Sequence, residues 1–168
     1  MEVIYRPMIE SDIEQMDAGF IAQGWGSRRA VLEKYYREQA DGTRYVVFAE
    51  MDGKAVGYAT LLRNDPHGPF ANQNLPVVND FNVLECCQGH GVGSGILDRI
   101  EAYAATFSDV ITLGVGMHPG YGSAQRLYAK RGYIPDGSGL WYRDRLLAMN
   151  EECCNNDDLV LYLSKKLK

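Results

Sequence analysis

Residues 79–107, NDFNVLECCQGHGVGSGILDRIEAYAATF, decide the fold. A β-rich run gives way to a glycine-rich turn, and the turn opens a helix. Its centre is Gln88-Gly89-His90-Gly91-Val92-Gly93-Ser94. Glycines at 89, 91, 93 and 95 strip side chains from the approach to a helix N-terminus. Backbone N–H groups there have no intrahelical acceptor, and the helix dipole favours negative charge. The turn therefore predicts an anion site, with a diphosphate as the fitting guest. Taken alone the glycines are weak evidence, because a ligand-free loop can look the same.

The flanking chain supplies the context. Downstream, the helix over 91–107 buries Ile96, Leu97, Ile100, Ala104 and Phe107 by spacing, and 110–115 (VITLGV) reads as a buried strand. A turn at 117–120 leads to a helix over 122–131, with Ala124, Leu127 and Tyr128 on one face and Gly132 as its C′ residue. Residues 133–142 contain a turn at Pro135-Asp136-Gly137 and then a strand. The polar stretch 143–158 predicts a mobile loop, and 159–163 a last strand before a basic tail. Upstream, 77–83 is a strand. The runs 45–51 and 54–62 flank Asp52-Gly53, a hairpin signal. Residues 64–76 hold three prolines and form a loop, with His67 on its surface. The chain starts with a strand over 2–6 and a capping box at Ser11-Asp12-Ile13-Glu14. The helix that follows places Ile13, Met16, Phe20 and Ile21 on one face and closes at Gly24 and Gly26. Ser27 is placed to cap a second helix over 28–40, with Val31 and Tyr35 inward. Trp25, Arg28, Arg29 and Tyr36 are candidates to line a substrate mouth, with ordinary surface as the plainer reading.

The order β-α-α-β-β-β-α-β-α-β-β predicts an α/β fold with a mixed, mostly antiparallel sheet of six to seven strands and about four helices. At 168 residues the chain fits a single domain over 1–168. The formal net charge of −5 argues against nucleic acid and suits a cationic partner. No apolar run approaches a membrane span and the N-terminus does not read as a signal peptide, so a cytoplasmic protein is expected. The cysteines fall in adjacent pairs, Cys86-Cys87 and Cys153-Cys154, without metal-site spacing. No metal is expected.

Gln88-x-x-Gly91-x-Gly93 is similar to the Q/R-x-x-G-x-G/A signature of the GNAT superfamily of acyl-CoA-dependent N-acyltransferases. The strand Asp80-Phe81-Asn82-Val83 just before it agrees. So does the motif Ala124-x-x-Leu127-Tyr128-x-Lys130-Arg131-Gly132-Tyr133 about 40 residues on, as does the order of elements. The resemblance implies acetyl-CoA as donor. Its pyrophosphate would lie on Gln88, Gly89, His90, Gly91, Val92, Gly93 and Ser94, and its pantetheine arm beside Phe81, Asn82 and Val83. The N–H of Val83 is implied to polarise the thioester carbonyl, and Tyr128 to contact the cofactor and protonate the leaving thiolate. Many members carry Asn where this chain has Tyr121. Asp80 is the first candidate for general base and Glu85 the second. The sequence offers no activating partner for Cys86 or Cys87, which favours direct transfer in a ternary complex. The implied acceptor is a primary amine of a small molecule or peptide, with cationic amines suited by the acidic chain. The protein is expected to be a monomer or homodimer. A non-catalytic acyl-CoA sensor is the alternative. A nucleotide-binding domain fits poorly, because the turn lacks a GKS/GKT ending and 110–115 ends without an acidic residue.

Overall fold

The computed structural model describes residues 2–168. They form two compact units: residues up to Leu62 with Val78–Tyr103, and Arg63–Val77 with Ala104–Lys168. Eight strands and four helices are present among the described residues, one or two strands more than the sequence predicts.

The first unit contains β1 (Val3–Arg6), α1 (Ser11–Ala22), α2 (Arg29–Ala40), β2 (Tyr45–Met51), β3 (Lys54–Leu62), β4 (Val77–Val83) and α3 (Val92–Ala104). The strands lie in the order β1-β2-β3-β4, and β2 pairs antiparallel with both β1 and β3. Asp52 and Gly53 take φ 51 and 77, the two positive values that let a two-residue turn follow the twist of its strands. Nearly every residue of β3 is buried. Tyr58, fully buried, stacks on Phe48 at 5.2 Å and meets Phe20 edge-on at 6.4 Å. Met16, Leu32, Ile96, Leu97 and Ile100 complete this core, each worth about 1.5–3 kcal/mol of burial.

Two helix starts differ from expectation. Ser11 does not cap α1. The buried Asp12 accepts Ile9 N–H at 2.8 Å and two Arg6 N–H groups at 2.7 and 2.8 Å, and helical geometry begins at Glu10. Helix α2 starts at Arg29, and its end is satisfied by a neighbouring helix. Asp17 of α1 accepts Arg28 N–H at 2.6 Å and the Ser27 hydroxyl at 2.9 Å. The carboxylate, already ordered by its own helix, takes the short bond from Arg28 N–H, and Ser27 Oγ keeps only a long one, from Arg29 N–H at 3.4 Å. Ile21, expected inside, is exposed, whereas Leu32 and Tyr35 are the buried residues of α2.

The second unit contains β5 (Val110–Gly116), α4 (Gly122–Lys130), β6 (Ile134–Tyr142), β7 (Arg145–Leu146) and β8 (Leu159–Lys166). Their order is β5-β8-β6-β7, antiparallel at each pairing. Helix α4 ends as its glycine predicts. Gly132 takes φ 90 and donates to Ala129 O, while Tyr133 donates to Tyr128 O. The stretch 143–158 is not a plain loop: Arg143 and Asp144 at φ 51 and 60 turn the chain into β7, the additional strand. Gly137 and Gly139, both at positive φ, lie in an irregular stretch within β6 that breaks its register with β8. Strand β8 absorbs Lys165 and Lys166, paired with Ile111 and Val110. Helix α3 stops at Ala104, and Phe107 lies under the Arg63 guanidinium at 4.1 Å instead. Within loop 64–76, Gly68–Phe70 form a single 3-10 turn.

Candidate active site

The glycine turn is built as an open backbone surface. Strand β4 ends at Val83, and a 3-10 turn over Glu85–Cys87 carries the chain to Gln88. Gly89 and Gly91 take φ 77 and 79, and nothing lies within 4 Å of where a Cβ would stand at either. Left-handed backbone there needs glycine, and the absence of neighbours leaves the outer face bare. Gly95 N–H is bonded to Gly91 O at 3.1 Å. The N–H groups of Val92 and Gly93 precede it, where a helix has no carbonyl of its own to offer. The first turn of α3 carries no acidic side chain. These features fit a bound anion. Gly95 serves packing instead. A Cβ there would fall 2.0 Å from the Tyr5 hydroxyl, so this glycine admits β1 against α3.

The remaining residues of the turn divide by contact. Gln88 is exposed, and its amide donates to Val83 O at 3.1 Å, tying the turn back to β4. His90 is exposed, with Nδ1 at 3.4 Å from Cys87 O. Gly93 and Ser94 are half-buried, and Val92 is buried.

Asp80 is the centre of the unit's polar network. It takes φ 63 inside β4, a left-handed value that is uncommon for a residue with a side chain and marks an irregularity in the strand. Its Oδ2 accepts Arg28 Nη2–H at 2.7 Å, the Tyr58 hydroxyl at 2.8 Å and the Tyr35 hydroxyl at 2.9 Å. Its Oδ1 accepts Asn82 Nδ2–H at 2.6 Å. Burial, and then the Asp80 charge, push the phenols of Tyr35 and Tyr58 up, so both stay protonated donors at neutral pH. Gly57 on β3 makes room for this region, since a Cβ there would stand 2.9 Å from Asn82 O. Phe81, Asn82 and Val83 are all half-buried.

The expected substrate mouth is not one cluster. Arg28 turns to Asp80, and Trp25 stacks on Phe20 at 5.2 Å. Arg29 and Tyr36 line an open groove of 590 Å³ with Glu10, Glu33 and Arg37. Of the residues around Asp80, Tyr35 and Tyr58 are not marked as site residues by the sequence; the one hint, for Tyr58, is a polar-tipped aromatic in a mostly apolar strand. Cys87 is buried and its Sγ lies 3.5 Å from that of Cys86. Burial, and then the Cys86 contact, push the Cys87 thiol up to about 11, the opposite of an activated nucleophile.

In the second unit, Tyr128 is buried on α4, its ring 5.6 Å from that of Tyr133. Tyr121 donates its hydroxyl to Asp157 at 3.1 Å. His118 Nδ1 accepts Gly120 N–H at 3.1 Å, so Nε2–H donates to Asp157 at 2.6 Å. That bond holds the Asp157 carboxyl below its ordinary value.

The sequence profile described as the acetyltransferase (GNAT) family matches residues 11–133. The chain belongs to this family. Among curated relatives are uncharacterized N-acetyltransferases of Mycobacterium bovis and Mycobacterium tuberculosis, each 28% identical over 98 residues. The match covers 58% of this chain and 58% of theirs. Among solved structures, a GNAT-family protein from Desulfovibrio desulfuricans covers 99% of this chain with all of its own, at 14% identity and a TM-score of 0.73. A Salmonella typhimurium protein solved with its cofactor acetyl-CoA covers 99% of this chain with 94% of its own, at 18% identity and a TM-score of 0.66. These likenesses establish the GNAT fold. No helix among the described residues is long and apolar enough to cross a membrane.

Proposed function

We propose that the chain is an N-acetyltransferase that moves an acetyl group from acetyl-CoA to a primary amine of a small molecule or peptide, with both substrates bound together. The observation that supports this most is the bare left-handed backbone at Gly89 and Gly91 leading into α3, in a chain of an acetyltransferase family. The Salmonella neighbour's bound acetyl-CoA adds to it.

When bound, acetyl-CoA supplies the activated acyl group. The turn over residues 88–94 is assigned to its diphosphate, and Phe81, Asn82 and Val83 to its pantetheine arm. The N–H of Val83 is assigned to the thioester carbonyl, where one fixed donor is worth about 2.7–4 kcal/mol to the transition state. As the new N–C bond forms and the C–S bond breaks, Tyr128 gives its proton to the departing sulfur. Asp80 is assigned to the acceptor's ammonium and its proton. Because its oxygens already accept from Arg28, Tyr35, Tyr58 and Asn82, an amine reaches Asp80 by displacing one of these donors. The raised Cys87 thiol supports direct transfer over an acyl-cysteine. All four cysteines are free thiols, which suits a cytoplasmic enzyme.

The engaged state of Asp80 is also what favours the second reading, an acyl-CoA sensor without turnover. Thiol release from acetyl-CoA in the presence of a panel of amines separates the two. Acetyl-CoA binding with no amine-dependent thiol release from any of them would leave the sensor and remove the enzyme.

A further inference from the structure

The second unit holds a cluster that this reaction scheme does not use. Asp65 is 3% exposed at the base of loop 64–76. Its N–H donates to Leu75 O at 3.0 Å, and its Oδ1 accepts His67 N–H at 3.0 Å. Its Oδ2 is buried with no hydrogen-bond partner. A carboxylate oxygen sealed from water in this way is costly until a cation or donor reaches it. Asp144, from the turn between β6 and β7, has a half-exposed side chain. Its Oδ1 accepts Gly68 N–H at 2.7 Å, and its Oδ2 accepts His67 Nδ1–H at 3.1 Å. His67 thus touches both acids, one through its backbone and one through its ring, while its side chain remains 65% exposed.

An apolar wall adjoins the acids. Tyr162 lies against Gly68, where a Cβ would stand 2.4 Å from the ring. Phe70 and Trp141 meet Tyr162 edge-on, with centroids at 6.4 and 5.8 Å. Burial, and then Asp144 and Asp65, push the Tyr162 phenol up to about 12. Burial, and then further down the order Asp144, also raise the Asp65 carboxyl. Both acids therefore act on the same small volume. Arg143, next in the chain, is turned to Asp158 at 3.5 Å and to the Tyr142 ring.

We propose that this cluster is an ammonium-binding site: an aliphatic amine cation displaces the His67 imidazole from Asp144, reaches Asp65 Oδ2 beneath it, and lays its hydrocarbon against Phe70, Trp141 and Tyr162. His67 is the removable stopper, since one 3.1 Å contact holds its exposed ring in place. Every residue of the site lies in the second unit, and the inference does not depend on the acetyltransferase reading. Binding of the cation is testable without it.

The test is calorimetric titration of the whole chain with 1,4-diaminobutane at low salt, with 1-butanol as the uncharged control. Wild type binds the diamine saturably and not the alcohol. Asp65→Asn weakens binding roughly tenfold or more, as loss of a buried partner charge does. Asp144→Asn, at a more exposed position and on a backbone that asparagine tolerates, weakens it roughly threefold. His67→Ala tightens it by a similar factor of about three, because the stopper is gone. No saturable binding by wild type, or binding that a folded Asp65→Asn and Asp144→Asn leave unchanged, overturns the site. Weaker binding by His67→Ala overturns the stopper. Thermal stabilisation by acetyl-CoA, read on the same samples, reports on the donor site alone. Its absence beside intact diamine binding sinks the acetyltransferase reading and leaves the ammonium site standing.

Discussion

Replacing Gly91 with glutamate separates the donor site from the fold. Gly91 holds φ 79 with nothing within 4 Å of its Cβ position, so the substitution meets no clash. Its folding penalty is the left-handed backbone, about 1–2 kcal/mol for a residue with a side chain. A carboxylate near a helix start returns about 0.3–1 kcal/mol of that. For a chain of this length 1 kcal/mol moves the melting midpoint by about 2–4 °C, so the unliganded variant should melt within roughly 8 °C of wild type. The ligand effect is larger and distinct. Acetyl-CoA at 100 times its dissociation constant adds about 2.7 kcal/mol, or roughly 5–11 °C. The new carboxylate occupies the place assigned to the diphosphate and repels it. Thermal unfolding with acetyl-CoA, ATP and NAD reads both effects. The expected result is a wild-type shift with acetyl-CoA alone, lost in a variant that still melts cooperatively. Gly95→Ala is the contrast, since its Cβ would fall 2.0 Å from the Tyr5 hydroxyl. It should lower the midpoint through overpacking, about 1–3 kcal/mol, and keep its ligand shift. A wild type that saturating acetyl-CoA does not move, or a folded Gly91→Glu that keeps the full shift, refutes the assignment of the turn.

Asp80→Asn keeps a residue type that tolerates the φ of 63 and removes the charge; kcat/KM, followed by thiol release, should fall about a hundredfold, and a value within twofold of wild type would remove Asp80 from the chemistry. Tyr128→Phe keeps the ring packed on Tyr133 and removes only the hydroxyl. Its kcat should fall by about the same factor with the acetyl-CoA thermal shift intact, and an unchanged kcat points to another proton donor. At pH 8, iodoacetamide should label Cys86, Cys153 and Cys154 and spare the buried Cys87, as peptide mapping would show. The Cys87 thiol moves from 9.0 to about 11 on folding. Between those values the unfolded chain has released this proton and the folded chain has not, so the urea midpoint should fall over that window. The raised phenols of Tyr35, Tyr58 and Tyr162 add to the fall at its upper end, so Cys87→Ser should reduce the fall, most at its lower end, without abolishing it.

What can be read from the sequence is carried by local chemistry. The glycines of the turn, the Asp-Gly hairpin and the glycine closing α4 each fix a backbone conformation that few other residues accept, and β2, β3 and β4 fall where the runs of β-branched and aromatic residues place them. The helix caps differ from their sequence reading for a physical reason. Ser11 and Ser27 are good caps in isolation, but Asp12 and Asp17 are held in place by Arg6 and by α1, and a carboxylate makes the stronger bond. Strand β7 escapes a sequence reading because two residues carry almost no periodicity. Its turn uses Arg143 and Asp144 at positive φ, a conformation whose usual glycine is absent.

The two halves of the proposed chemistry differ in how legible they are. Anion recognition at residues 88–94 uses backbone, so its signature is the removal of side chains from one contiguous stretch, and that is visible in seven letters. Acceptor recognition uses side chains that meet only after folding. Asp80 draws Arg28 from the start of α2, Tyr35 from the same helix, Tyr58 from β3 and Asn82 from two residues on. No short window contains that set. The same contrast explains why Asp65 and Asp144, 79 positions apart, attract notice only once His67 is found touching both. A donor site built from backbone can be kept through wide sequence change, while an acceptor site built from scattered side chains changes with any one of them. The two proposed cation sites, Asp80 in the first unit and Asp65 with Asp144 in the second, are therefore each read from side chains that folding brings together, and each is tested by its own substitution.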